Sequence, residues 1–120
     1  MSELTGVGRF TFKDGQVEEF KRLSERCMQI VREQDTGTLQ YDIFVSDDQS
    51  EAVVIERYRD SKAHTEHLEH IGPDLLNAVI ATTATVEGWT LGNPTEEVRQ
   101  KLADTEVRLL PTFLSLNGDA

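Results

Sequence analysis

The chain has 120 residues, a length that suits one domain and predicts a single domain over 1–120. Its formal net charge is −10, from 22 acidic and 12 basic residues. This balance repels nucleic-acid phosphates and no basic stripe opposes it, so nucleic-acid binding is not expected. No apolar run approaches the ~20 residues that cross a bilayer, and no signal peptide is evident. We therefore expect a soluble, cytoplasmic protein with no membrane partner.

The first half of the chain has the periodicity of a strand, a helix and a hairpin. Residues 4–12 predict a first strand. An amphipathic pattern with Asp14 as its N-cap predicts a helix that ends near Gly37. Residues 38–46 and 52–58 predict two more strands, which a short polar turn joins as an antiparallel hairpin.

The second half adds further helices and strands, and together the elements define a fold. Two helical pieces meet at Gly72-Pro73, and a strand, a short helix and a last strand follow, with Pro111 confining the last strand to a sheet edge. The predicted ranges are 60–71 and 75–80 for the helical pieces, 82–91 for the strand, 93–103 for the helix and 107–116 for the last strand. The order β-α-β-β-α-β with an α-β tail predicts an α+β, ferredoxin-like split βαβ antiparallel sheet with both main helices on one face.

The face of the sheet that the helices leave uncovered predicts a homodimer. Its expected side chains are too apolar for a solvated surface and too charged for a plain core: Val7, Phe44, Val54 and Tyr58 beside Arg9, Gln40, Asp42 and Glu56. Packing two such sheets face to face resolves the conflict and leaves a partly polar cavity between sheet and helices. The last strand could then reach across to the partner and protect a strand edge. The alternative is that these are scattered surface residues, which are common.

All three histidines, His64, His67 and His70, fall within seven residues of the predicted second helix. His64 and His67 project close to its apolar stripe, and His70 lies at the flank. They are structural, or one of them is a general base facing a cavity, or a pair binds a metal ion. Because no third ligand is fixed nearby, we expect no metal site.

Four other residues are candidates for contact with a ligand. Arg9 and Glu56 are expected on the side of the sheet that lines the cavity, where they bind substrate or neutralise one another. Tyr58 and the single tryptophan, Trp89, form a pocket wall or ordinary core. The sequence contains no glycine-rich phosphate loop and no dinucleotide-binding fingerprint.

Several segments in this order resemble the antibiotic biosynthesis monooxygenase family of dimeric α+β barrels. They cover nearly the whole chain: 12–20 (FKDGQVEEF), 37–41 (GTLQY), 56–63 (ERYRDSKA) followed by His67-Leu68, and 91–98 (LGNPTEEV). A haem-degrading branch shares this fold, with an asparagine on the first strand, and a tryptophan and then a histidine later. Here the first strand has no asparagine, and the other two positions hold His67 and, near the second, Asn77. Haem degradation is therefore disfavoured.

The resemblance implies a homodimer with one pocket in each subunit. It also implies oxidation of a small aromatic molecule, quinol-like or anthrone-like, by O₂ without metal, flavin or haem, so we expect no cofactor. His67 matches the histidine that this family carries after the third strand, and would be the base or an orienting donor. On the predicted facing, Arg9, Glu56, Tyr58, His64 and Trp89 would bind the substrate. The alternative is a non-catalytic dimeric protein that binds a small molecule or assists other enzymes.

Overall fold

Five strands and four helices make up the part of the chain that the computed structural model describes, residues 2–118. The elements in chain order are β1 (Leu4–Phe12), α1 (Val17–Gln34), β2 (Thr38–Val45), β3 (Glu51–Tyr58), α2 (Ser61–Ile71), α3 (Pro73–Ala81), β4 (Thr83–Gly92), α4 (Glu96–Ala103) and β5 (Arg108–Leu110).

The strands form one sheet in the order β2-β3-β1-β4-β5. The pairs β2–β3, β3–β1 and β1–β4 are antiparallel, whereas β5 pairs parallel with β4. With α1 and α2 crossing between the strands, this is the ferredoxin-like α+β arrangement that the sequence predicts.

The main core lies between the sheet and α1. Phe20, Leu23 and Cys27 lie on one stripe of α1 at helical spacing and are buried against the sheet. Phe10 and Phe12 of β1 pack on Phe20, with ring centroids 5.8 and 4.8 Å apart. These contacts fix α1, and therefore its C-terminal end, over β1 and β2.

The start of α1 differs from the sequence prediction. Asp14 does not cap it, because the chain turns at Gly15, which has a φ of 75°. The backbone N–H of Gln16 donates to the carbonyl of Lys13, and the helix then begins at Val17 with Gln16 in the N-cap position.

The facing of β3 also corrects the sequence analysis. Val54, Glu56 and Tyr58 were expected on the uncovered face, but they lie on the face that the helices cover. The hairpin closes with Val45 opposite Ala52, and residues directly opposite each other in an antiparallel pair share a face. The even positions of β3 therefore follow Val45 into the core, and Val53 and Ile55 take the uncovered face instead.

The C-terminal tail pairs less than expected. A strand was predicted over 107–116, but β5 covers only Arg108–Leu110 and lies against β4 of its own chain. Pro111 ends it, because proline has no N–H to continue the ladder. Beyond it, Phe113, Leu114 and Leu116 are 91%, 82% and 100% exposed.

None of the helices within residues 2–118 has the length and apolar character needed to span a membrane.

Candidate functional site

A small cavity lies between the sheet and helices α1, α2 and α3. Its volume is about 100 Å³. Most of its wall is apolar or aromatic, including Phe10, Phe20 and Val79, and its polar side chains are Ser24, Tyr41, Glu56 and His67. A small number of polar groups that point into an otherwise apolar cavity is typical of small-molecule sites.

Two wider depressions lie elsewhere on the molecule. One, of about 360 Å³, runs along α1 and β2, and another, of about 550 Å³, lies beside the C-terminal tail. Both are more open to solvent, and no histidine is among the described residues that line them. We place the candidate site at the smaller cavity because it alone of the three includes a buried acid–base group.

His67 enters this cavity from α2. The carboxylate of Asp60 accepts a hydrogen bond from the N–H of Ala63 at 2.9 Å and so caps the start of the helix. Ala63 and His67 are four residues apart on the same helical face and are both buried. The side chain of His67 is only 4% exposed.

Asp35 holds His67 in place from the C-terminal end of α1. Its Oδ2 lies 2.7 Å from Nδ1 of His67, and its Oδ1 lies 2.6 Å from Nδ1 of His70. The hydroxyl of Thr38 donates to Oδ2 at 2.6 Å. Burial raises the pKa of Asp35, but the hydrogen bonds from Thr38, His70 and His67 outweigh it, and the pKa is lowered. Asp35 is therefore ionised at neutral pH.

Because an ionised carboxylate only accepts hydrogen bonds, both Nδ1 atoms must carry protons. The remaining ring nitrogen of His67, Nε2, then bears the lone pair when the ring is neutral. It lies 3.4 Å from Oε1 of Glu56, longer than a charge-assisted hydrogen bond. His67 thus presents a basic nitrogen towards Glu56 and the cavity.

Glu56 is held by Tyr58, whose hydroxyl donates to Oε1 of the same carboxylate. Both residues lie on β3, two positions apart, and so share one face of the sheet. Burial raises the pKa of Tyr58 and of Tyr41, and nearby acidic groups raise both further. Both phenols stay neutral at physiological pH and serve as donors.

His64 lies one turn before His67 and packs edge-on against Tyr58, with ring centroids 5.2 Å apart. Its Nδ1 is buried and has no hydrogen-bond partner within residues 2–118. Burial lowers the pKa of His64 to about 4, with smaller contributions from His67 and Lys101. His64 is therefore neutral in the folded protein near pH 7.

Arg9 and Trp89 are not brought to this cavity. In the β1–β4 register Arg9 lies opposite Glu87 and Val7 opposite Trp89, all on the uncovered face of the sheet. Arg9 does not pair with Glu56: it donates to Glu51 at 2.8 Å and to Glu87 at 3.0 Å. Of the six residues that the sequence proposed, the structure brings four together, His64, His67, Glu56 and Tyr58.

Asp35 was not among the candidates drawn from the sequence, and His70 was not among the residues expected to contact the substrate. Asp35 is 32 positions from His67, and nothing in the periodicity of α1 or α2 brings them together. One local signal was available: an acidic residue at the C-terminal end of a helix opposes the helix dipole. Such conflicts with local rules tend to mark functional or strained positions.

A metal site receives no support from the ligands present. Within residues 2–118, the His, Cys, Asp and Glu side chains form no group of three or more arranged to hold a metal ion. The imidazoles of His67 and His70 are instead engaged by Asp35.

The fold and the site together define a ferredoxin-like α+β protein with a buried His–Asp pair beside a small, largely apolar cavity. The model of one family, antibiotic biosynthesis monooxygenase, matches residues 4–88. The chain belongs to this family. α4 and β5 follow the matched segment. No curated protein matches this chain.

Solved structures share the fold. MupZ from Pseudomonas fluorescens is 17% identical with a TM-score of 0.79, and the match covers 95% of this chain and 88% of MupZ. Rv0793 from Mycobacterium tuberculosis is 26% identical, with a TM-score of 0.62 and coverage of 78% and 97%. SnoaB from Streptomyces nogalater, described as a cofactor-independent oxygenase, is 24% identical, with a TM-score of 0.62 and coverage of 79% and 96%. The wider match to MupZ extends beyond β4 into the tail.

Proposed function

We propose that this protein is a cofactor-independent monooxygenase that oxidises a small aromatic substrate, quinol-like or anthrone-like, with O₂. Membership of the monooxygenase family supports the reaction class. The observation that carries the proposal is the hydrogen bond from Nδ1 of His67 to Asp35, because it leaves Nε2 as the base at the cavity.

His67 takes the phenolic proton of the substrate. Asp35 fixes the ring tautomer and stabilises the imidazolium that forms, and remains ionised itself, as in other acid–histidine pairs. Glu56, held by the hydroxyl of Tyr58, orients the substrate oxygen beside Nε2. His64, which packs on Tyr58, supports this wall of the site.

For an anthrone-like substrate the reaction balances without an added reductant. His67 deprotonates the enol form, and the resulting anion is rich enough in electrons to reduce O₂. A carbon–oxygen bond then forms at the ring carbon opposite the phenolate, and His67 returns its proton to the peroxide oxygen. The O–O bond breaks as the ring carbon loses its hydrogen, which leaves a carbonyl and one water. The net change is CH₂ plus O₂ to C=O plus H₂O.

Substrate binding requires the cavity to widen. Its volume of about 100 Å³ is below the roughly 300 Å³ at which ordinary ligand pockets begin. The outer wall includes Leu68 of α2 and Leu76 of α3, which are half-exposed, and the two helices meet at Gly72 with a φ of 80°. Separation of α2 from α3 at this glycine enlarges the cavity without disturbing the sheet.

The active form is proposed to be a homodimer. The corrected uncovered face still carries a group of apolar side chains, with Val7, Val53, Ile55 and Trp89 flanked by Phe44, which is 55% exposed. The charge on this face is largely internal, because Arg9 pairs with Glu51 and Glu87. A second copy of this sheet would cover the apolar residues.

Oxygen uptake with a panel of hydroquinones and anthrones tests the proposal. We expect turnover by the wild type and a loss of at least about 100-fold in His67→Ala, since a general base contributes at least this much. Lys62→Ala, at an exposed position of the same helix, is the matched control and should keep full activity. Metal and flavin analysis of the active protein checks the cofactor-free claim.

The results also decide between catalysis and binding. Turnover that survives in His67→Ala would remove the base role from this residue. Binding of the aromatic panel without oxygen uptake would favour the alternative, a non-catalytic dimeric protein that binds a small molecule or assists another enzyme.

A further inference from the structure

One buried carboxylate serves two imidazoles that differ in their access to water. Asp35 accepts from Nδ1 of His67 through Oδ2 and from Nδ1 of His70 through Oδ1, at 2.7 and 2.6 Å. The side chains of Asp35 and His67 are 3% and 4% exposed, whereas that of His70 is 29% exposed. His70 is thus the member of the trio that exchanges protons most readily with solvent.

His67 can act as a base only if its ring is neutral before the substrate binds. A nearby positive charge is therefore needed to offset the carboxylates around the ring. Glu56 faces it from β3 and Asp35 from the end of α1, so two carboxylates stabilise the imidazolium. The other groups packed around the ring are neutral near pH 7: Tyr41 of β2, Tyr58 of β3 and His64 of α2. Among residues 2–118, His70 is the group able to carry positive charge that forms an ion pair with Asp35 besides His67 itself.

We propose that His70 is a positioning residue that sets the basicity of His67 through their shared carboxylate. When His70 is protonated it forms the second ion pair of Asp35, which weakens the hold of Asp35 on a protonated His67. His67 then stays neutral and ready to accept a proton from the substrate. The consequence for turnover rests on the proposed function, but the coupling of the two rings is a property of the protein alone.

The variant His70→Asn tests the coupling, because asparagine keeps a donor near the position of Nδ1 and removes the charge. NMR of ¹⁵N-labelled histidine rings follows protonation of His67 without substrate. We expect His67 to titrate at a pH about one unit higher in His70→Asn than in wild type, the scale of coupled neighbouring sites.

Lys62→Asn is the matched control, since it removes one positive charge from an exposed position of the same helix. Solvent screens this charge, so the titration of His67 should move far less than in His70→Asn. An unchanged titration of His67 in folded His70→Asn would overturn the proposal. If that variant fails to fold, the wild type still decides: coupled rings inflect at the same two pH values, and independent rings do not.

Kinetics separate this inference from the proposed function. With an active substrate, the acidic limb of the kcat/KM profile should move to higher pH in His70→Asn, in parallel with the NMR shift. Coupling without any oxygen uptake would support the role of His70 and reject the monooxygenase. If oxygen uptake depends on His67 but the acidic limb of the kcat/KM profile does not move in His70→Asn, the monooxygenase is supported and the role of His70 is rejected.

Discussion

The residue that organises the site is Asp35. Its carboxylate accepts three hydrogen bonds, from Thr38, His67 and His70, and its pKa falls although burial acts in the opposite direction. Charge-assisted hydrogen bonds of this kind contribute roughly 1.5–3 kcal/mol each. A buried ion held in this way fixes the tautomer and the direction of two imidazoles.

His64 makes a separate prediction about pH and stability. Its folded pKa of about 4 lies below the ordinary value of 6.5, so the unfolded chain takes up a proton first as pH falls. Stability is fully present above about pH 6.5 and falls by up to about 3 kcal/mol towards pH 4. His64→Phe keeps a ring against Tyr58 but cannot titrate, so urea unfolding should show a shallower loss over this window.

The difference in unfolding free energy between wild type and His64→Phe reports on His64 alone, because the groups around Asp35 titrate in both proteins. At pH 7 protonation of His64 in the unfolded chain no longer lowers the stability of the wild type. The difference in unfolding free energy between the two proteins at pH 7 therefore measures the packing change alone. Parallel stability curves for wild type and His64→Phe between pH 6.5 and pH 4 would contradict the assignment.

At the scale of the elements, one close contact sets the position of α2 over the sheet. Gly37 lies in the turn between α1 and β2, and its carbonyl accepts from the N–H of Arg59 at 2.8 Å. A Cβ on Gly37 would overlap the Cβ of Ala63 on α2. The helix that carries His67 therefore approaches the turn as closely as it does because residue 37 has no side chain.

Gly37→Ala should push α2 outwards and move His67 away from Asp35 and Glu56. We expect a loss of about 1–3 kcal/mol in unfolding free energy, the usual cost of overpacking, with lower oxygen uptake. The neighbouring Thr36→Ala, at an exposed position of the same turn, is the control and should have little effect. Equal stability of the two variants would show that α2 relaxes without cost.

Most element boundaries follow from local patterns, but the facing of β3 does not. The alternating residues of 4–12 predicted β1 over the range that the structure shows, because strand periodicity is a property of neighbouring residues. Which face a strand presents depends on its register with the next strand, and the β2–β3 turn sets that register. The sequence therefore predicts β3 as a strand, but the expected face of Glu56 and Tyr58 was wrong.

At the scale of the whole molecule, the uncovered sheet face makes a prediction about assembly. Phe44→Glu places a charge on a face that we propose is buried between two copies, so this variant should sediment as a monomer at micromolar concentrations while the wild type is a dimer. Ile80→Glu adds the same charge to a similarly exposed apolar site on α3 and should leave the dimer intact. A monomeric wild type would refute the dimer, and dimeric Phe44→Glu would move the interface elsewhere.

The sequence by itself determined the order of the helices and strands, the core-facing stripe of α1 and the presence of a histidine cluster beside an apolar stripe. These features arise from periodicities that neighbouring residues carry. Only the tertiary structure decided that Asp35 and Glu56 flank His67, and that Glu56 lies on the face of the sheet opposite to Arg9. Those facts depend on strand register and on where the end of one helix packs against another, which no local pattern encodes.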